Sequence, residues 1–276
     1  MLIDDTLFGK VDKVKIAIAR LKLHEPPDGY YVAFSGGKDS CVILDLVKRA
    51  GVKFDAHYNL TTVDPPELVH FVRDNYQEVT LELPPVIDGA AEKTRVSMWN
   101  LIVKKRIPPT RMVRYCCQIF KERGGDGRVV ITGVRHEESP RRAKRKMVET
   151  CNQHKDKQYL NIIIDWSEYE VWEYIHKYSV PYCSLYDEGF KRLGCIMCPL
   201  SSPSKIKIEE KRWPKYAAMY KSACEKSYKK AISDGKYMTW KNGDEMYDWW
   251  IAQARSRHED DRQISIFGLM ADESIT

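Results

Sequence analysis

Residues 35–40 read Ser-Gly-Gly-Lys-Asp-Ser, a run in which each residue type suits the holding of an anion. Gly36 and Gly37 allow backbone with φ > 0 and let main-chain N–H groups approach a phosphate with no Cβ in the way. Lys38 adds a formal charge. Ser35 and Ser40 carry hydroxyls, and Ser40 can cap a helix and donate to a phosphate oxygen, while Asp39 can cap the helix or hold a metal ion. The spacing is neither the G-x-x-x-x-G-K-[ST] phosphate loop nor the dinucleotide G-x-G-x-x-G. An ordinary strand-to-helix turn capped by Asp39 is the plainer alternative.

Two further sets of residues have chemistry in their spacing. Cys116 and Cys117 are adjacent, and Cys195 and Cys198 form a C-x-x-C pair. Four thiolates suit an iron–sulfur cluster or a tetrahedral zinc, with redox thiols as a third use. A vicinal pair favours the cluster, where each thiolate takes its own iron, over zinc, which usually takes two spaced pairs. Cys41, Cys151, Cys183 and Cys224 have no such partners in the sequence; Cys41 reads as a small core residue. The second set is "TGVRHEESPRRAKR", where Gly133 permits close backbone approach and Arg135, Arg141 and Arg142 can each grip phosphate with two parallel hydrogen bonds. A solvated basic loop is the bland reading. His57, His70, His136 and His154 stand singly and read as surface or hydrogen-bonded core histidines.

These residues need a frame. "YYVAF" (30–34) is a short apolar run read as a buried strand, and "DSCVILDLVKRAG" follows it as a helix closed by Gly51. "VKFDAHYNL", "EVTLEL", "RVVITG" and "YLNIIID" read as further strands. "PPELVHFVRDNY" and "SEYEVWEYIHKYS" read as helices, and residues 1–24 as one N-terminal helix. Strands alternating with helices predict an α/β fold: a Rossmann-like parallel sheet with helices on both faces, its strand ends and glycine loop along one rim. The expected division is an N-terminal helix (1–27), a nucleotide-binding domain (28–200) and a helical C-terminal appendage (201–276).

Composition sets the outer limits. The chain has 276 residues, 43% hydrophobic and 30% charged, with a net charge of +6. No apolar run approaches the roughly 18 residues of a membrane span. "MLIDDTLFGK" has early acids and no apolar signal core, so the expectation is a cytoplasmic protein whose cysteines are thiols or ligands rather than disulfides. Between Lys93 and Lys146, sixteen Lys and Arg face four Asp and Glu. That basic middle third predicts an anionic ligand, a nucleotide or a longer nucleic acid.

The intact "SGGKDS" between apolar strand and apolar helix resembles the PP-loop of the ATP pyrophosphatase family, which includes the sulfonucleotide reductases. The Cys-Cys…C-x-x-C pattern is similar to the [4Fe–4S] signature of adenylylsulfate reductases. "IIDWSEYEVWEYIHKYSVPYCSLYDEGFKRLGCIMCP" resembles that family's C-terminal core, and Gly133-x-Arg135…Glu138-Ser139…Arg its element beside the nucleotide. The resemblance covers roughly residues 28–200. It implies nucleotide binding by Ser35, Gly36, Gly37, Lys38, Asp39, Ser40, Gly133, Arg135, Arg141 and Arg142, catalytic roles for Lys38 and Asp39, and a cluster (zinc being the alternative) on Cys116, Cys117, Cys195 and Cys198.

Two departures bear on the activity. The reductases carry an altered glycine loop, whereas this one is complete. They also attack sulfur with a cysteine near the C-terminus in an ECGLH-like motif, and here residues 225–276 contain no cysteine. Both point to a PP-loop sulfurtransferase that splits ATP, with Mg²⁺, into AMP and pyrophosphate to activate a substrate, with nucleic acid among the candidate acceptors. The implied partner is a sulfur or electron donor protein, cysteine desulfurase-like or thioredoxin-like. The alternatives are a sulfonucleotide reductase forming sulfite, and a non-catalytic nucleotide- or cluster-binding interaction protein.

Overall fold

The computed structural model describes residues 2–6, 9–86, 94–151 and 156–253. His154, Lys93 and the tail from residue 254 lie outside them. The chain divides into two compact units, one of residues 1–98 and 115–196, the other of 99–114 and 197–276. Residues 99–114, read from the sequence with the nucleotide-binding domain, go with the second unit.

The first unit opens with a hairpin, β1 (Ile3–Thr6) and β2 (Gly9–Asp12), paired antiparallel. α1 (Lys13–Leu23) starts only at Lys13, because the Asp12 carboxylate accepts from the amides of Val14 and Lys15 and fixes the helix start there. The expected helix over 1–24 is therefore a strand pair followed by a shorter helix.

β3 (Tyr30–Phe34) is a buried strand, with Tyr30 and Val32 fully enclosed. α2 (Lys38–Ala50) follows after three residues and ends at Gly51, whose φ of +68° is the left-handed conformation a helix stop requires. β4 (Phe54–Asn59), α3 (Pro66–Asn75) and β5 (Val79–Glu82) continue the alternation. α4 (Met98–Lys105) and α5 (Tyr115–Phe120) are short helices that periodicity did not predict. The unit is completed by β6 (Val129–Ile131), β7 (Val148–Thr150), β8 (Gln158–Leu160) and α6 (Glu168–Tyr178), whose Ser167–Glu170 capping box fixes its start.

The sheet runs β5-β4-β3-β6-β8-β7, parallel throughout except for β7, which pairs antiparallel with β8. This is the expected Rossmann-like α/β architecture. β3 lies in the middle with crossovers leaving it to either side, the arrangement that opens a crevice at the carboxyl ends of the strands. The strand expected over 159–165 stops at Leu160. Asn161 spends its amide on the Met147 carbonyl and its side chain on Lys146 and Thr132, so the chain turns there. Ile162 and Ile163 remain fully buried, so the apolar run marks the core although it is not strand.

The second unit is helical: α4 after its first residue, α7 (Pro203–Arg212), α8 (Pro214–Ser233) and α9 (Gly243–Gln253). Trp99 meets Tyr220 edge-on at 4.8 Å, Tyr220 packs on Trp250 at 4.6 Å, and the Trp250 indole donates to the Pro109 carbonyl at 2.7 Å. Aromatic burial of this kind is the chief stabilising contact of a small helical unit. No helix among the described residues is long and apolar enough to cross a membrane.

Candidate functional site

The carboxyl end of β3 leads directly into the glycine turn. Gly36 has φ +70°, and a Cβ there would stand 2.8 Å from Leu68 Cδ1 and from Val72 Cγ2. Both the conformation and the packing against α3 demand glycine. The Ser40 hydroxyl is committed to the turn itself. It donates to the Gly37 carbonyl at 2.8 Å and accepts from the Ser35 amide and hydroxyl, both at 3.2 Å. That uses one donor and two acceptor sites, the full capacity of a hydroxyl. Ser40 thus braces the turn.

Gly133 follows β6 by two residues and approaches the first turn of α2, where its Cβ would stand 3.1 Å from Asp39 Cβ. Asp39 Oδ1 accepts from Arg135 Nε at 2.6 Å. Arg135 is only 3% exposed; it also donates to Glu137 at 3.1 Å and to the Trp166 carbonyl at 3.3 Å. Burial opposes its charge, and the carboxylates of Asp39, Glu138 and Glu137 together more than offset that, so Arg135 stays a cation. The sequence placed Arg135 as a phosphate grip; the structure locks it to the loop's aspartate. Its two nearest acidic neighbours in sequence, Glu137 and Glu138, order it: Glu138 accepts from the Arg135 amide at 3.0 Å.

A cleft of about 310 Å³ lies against these elements. Ser35, Gly37, Asp39, Ser40, Gly133 and Arg142 are among its lining residues. Arg142 pairs with Glu138 at the cleft wall. Arg141 lies elsewhere, at a separate cavity with Arg145, Lys146 and Cys151. Gly36 and Lys38 are not among the lining residues. Lys38 is 4% exposed, its ammonium 3.5 Å from the Glu168 carboxylate and the Lys191 carbonyl and 3.6 Å from Asp39. Its amide donates to the Tyr186 hydroxyl at 2.9 Å.

Several lining residues carried no signal in the sequence. Tyr186 is one; it sits within the C-terminal stretch that carried the family resemblance, but nothing in its type or spacing marked it. His57 stacks on Tyr31 at 4.4 Å and faces Asp55 at 2.5 Å and Glu82 at 2.9 Å, a histidine satisfied on both nitrogens. Asp64 is buried, which pushes its carboxyl up, against the Thr61 amide that donates to it at 2.7 Å. Lys121 and Arg192 bring two cationic side chains to the wall. Lys121 and Arg142 are shared with an adjoining cavity of about 440 Å³ that Arg123, Arg145 and Tyr159 also line. The basic segment read from the sequence is therefore in part a wall beside the cleft.

The cysteines are placed differently. Among the described residues, no three His, Cys, Asp or Glu side chains form a group able to hold a metal ion. Cys116, Cys117 and Cys195 belong to the first unit and Cys198 to the second. Cys195 Sγ donates to Thr61 Oγ1 at 3.4 Å. Cys224, the one cysteine beyond the C-x-x-C, is fully buried in α8, and burial pushes its thiol up to about 12.

The family model described as the phosphoadenosine phosphosulfate reductase domain matches residues 29–201. An uncharacterized protein of Methanocaldococcus jannaschii, MJ0066, is 32% identical over 209 residues, which cover 71% of this chain and 42% of that protein. An adenosine 5'-phosphosulfate reductase of Staphylococcus haemolyticus is 27% identical over 190 residues, covering 62% of this chain and 70% of the reductase. Among solved structures, the phosphate complex of phosphoadenylyl-sulfate reductase from Candida auris aligns with a TM-score of 0.46 at 20% identity, over 67% of this chain and 88% of that one. The chain thus spans less than half the length of MJ0066. With the match running from the strand before the glycine turn to just past the C-x-x-C, the chain belongs to the phosphoadenosine phosphosulfate reductase domain family.

Proposed function

We propose that the cleft binds an adenine nucleotide with its polyphosphate end at residues 35–40, and that the chain splits ATP into AMP and pyrophosphate to activate a substrate for sulfur transfer. The observation that carries the reading is the convergence of Ser35, Gly37, Asp39 and Ser40 of the glycine turn with Gly133 and Arg142 on one cleft at the carboxyl ends of β3 and β6. Backbone N–H groups at the start of α2 and the helix dipole supply the positive potential for the phosphates. Asp39, held by Arg135, is the chain's own carboxylate for a Mg²⁺ ion that arrives with ATP and takes most of its ligands from phosphate and water. Such an ion would neutralise charge on the phosphates.

In this scheme an acceptor oxygen attacks the α-phosphorus and the bond to the β-phosphate oxygen breaks, releasing pyrophosphate and leaving an adenylylated acceptor. A sulfur nucleophile then displaces AMP. Lys38 stabilises the departing pyrophosphate once its ammonium leaves Glu168. The adjoining cavity with Arg123 and Arg145 suits an anionic acceptor, nucleic acid being the class its charge favours. A donor protein, cysteine desulfurase-like or thioredoxin-like, would bring the sulfur or the electrons. The [4Fe–4S] expectation stays outside the scheme, and no step runs through it.

A second reading has its own support. Relatives carry the name adenosine 5'-phosphosulfate reductase, and the ammonium of Lys38 is held between the Glu168 and Asp39 carboxylates. A sulfonucleotide, with no triphosphate to cleave, needs less charge there. Against it, Cys224 is buried with a raised thiol pKa, the opposite of an activated nucleophile. One anaerobic assay with ATP and adenylyl sulfate offered side by side decides. Pyrophosphate release supports the first reading. Thioredoxin-dependent sulfite release without pyrophosphate overturns it. Neither activity, with nucleotide binding kept, leaves a binding protein.

A further inference from the structure

We propose that Tyr186 is the residue that sets how long a phosphate chain the glycine turn accepts, because its hydroxyl occupies the Lys38 amide and its ring holds the Lys38 ammonium. The inference rests on the nucleotide reading of the cleft and adds to it the identity of the specificity determinant.

Three observations, two of them contacts of Tyr186, place it in competition with a ligand. The first is the hydrogen bond from the Lys38 amide to Tyr186 Oη at 2.9 Å, the distance at which an N–H also meets a phosphate oxygen. A phosphate oxygen at that amide would stand where the phenol oxygen stands. The second is the Lys38 ammonium 5.6 Å from the centre of the Tyr186 ring, within the range of cation–π attraction. The third is the route of the Lys38 side chain, which runs to Glu168 and the Lys191 carbonyl and leaves the ammonium out of the cleft lining while Tyr186 lines it.

The ring is braced from behind. Tyr186 meets Trp172 edge-on at 5.2 Å and 86°, and Trp172 meets Tyr182 in the same way at 5.2 Å. Burial keeps the phenol protonated, so it offers a neutral oxygen at a position where a ligand would offer a charged one. With the Ser35 amide already donating to Ser40, the Tyr186 bond removes a second donor from the turn. A nucleotide monophosphate makes few demands on these donors. A diphosphate or triphosphate end has to displace the hydroxyl and draw Lys38 out, and it does so because charge-assisted hydrogen bonds are about twice as strong as neutral ones.

The test compares wild type with Tyr186→Phe by isothermal titration with inorganic pyrophosphate, ATP and AMP. Phenylalanine keeps the ring contacts and removes only the competing oxygen. Pyrophosphate and ATP are expected to bind about 3- to 10-fold tighter to the variant, the worth of one released hydrogen bond, with AMP unchanged. Equal or weaker pyrophosphate binding overturns the proposal, weaker binding making the hydroxyl a ligand contact instead. Equal tightening of AMP also overturns it, since selectivity would not have moved. If wild type and variant bind none of the three, the nucleotide reading itself has failed, a result distinct from unchanged affinity. Tyr186→Leu, which also removes the ring from Lys38, is expected to shift the same ratio in the same direction should the phenylalanine variant fail to fold.

Discussion

The glycine turn and the cysteine set differ in how the chain builds them. Residues 35–40 are consecutive and lie between β3 and α2, and distant sequence adds the contacts of Gly36 with α3, of Lys38 with Glu168, Tyr186 and Lys191, and of Asp39 with Gly133 and Arg135. The cysteines come from two segments, and Cys198 falls in the second unit while its three counterparts fall in the first. Their residue types promise a metal, but among the described residues no metal-holding group results. A motif closed within one strand, one turn and one helix carries its own geometry. A motif shared between segments depends on everything that positions them.

The comparison can be broken, most severely at Arg135. Arg135→Ala leaves Asp39 without its buried partner and is expected to cost about 3–5 kcal/mol of stability, read by urea unfolding. A loss below about 1 kcal/mol would mean that the ion pair does not hold the turn. Lys38→Ala should lower pyrophosphate release from ATP by about 10²- to 10³-fold in single-turnover assays with circular dichroism unchanged; undiminished turnover would remove the turn from the chemistry. Gly36→Ala forces φ +70° on a side chain that also meets Leu68 and Val72 at 2.8 Å. It should lower stability by about 1–3 kcal/mol, and unaltered unfolding would show the turn to be less constrained than its contacts say.

Smaller effects sharpen the contrast from the cysteine side. Cys195→Ser keeps a hydroxyl able to donate to Thr61, so stability should move by less than about 1 kcal/mol. A brown anaerobic wild type bleached by this substitution would show the cysteines converging on iron after all. Alkylation at pH 8, followed by mass spectrometry, should spare Cys41 and Cys224. Burial raises both thiols to about 12. Their thiolate fraction at pH 8 is then on the order of 10⁻⁴, and it rises only as pH climbs toward that value. Rapid labelling of either would contradict their burial.

The sequence made the central sheet legible because β3 is an apolar run, while β4 and β5 alternate apolar with polar residues. It did not reveal the β1–β2 hairpin, whose residues Asp4 to Asp12 lack strand-like alternation. Nor did it reveal β7, three residues with an exposed-intermediate-exposed pattern at the sheet's rim. Within the site, the turn and Gly133 were readable from local spacing. The fates of Arg135, Arg141 and Arg142 were not, since three arginines within eight residues differ in role only through what faces them: a half-buried aspartate, a second cavity and the cleft. Tyr186 lies 148 residues from the amide it meets, too far for any local pattern to reach.

The order of the strands has one more consequence. The two edge strands of the sheet are short: β5 has four residues and β7 three, against six in β4 and five in β3. β7 also reverses direction. A foreign chain seeking to extend the sheet from either flank would find only a short ladder of open amides and carbonyls, too few to repay the ordering of its own backbone. Short edges of this kind disfavour self-association through the rims of the sheet.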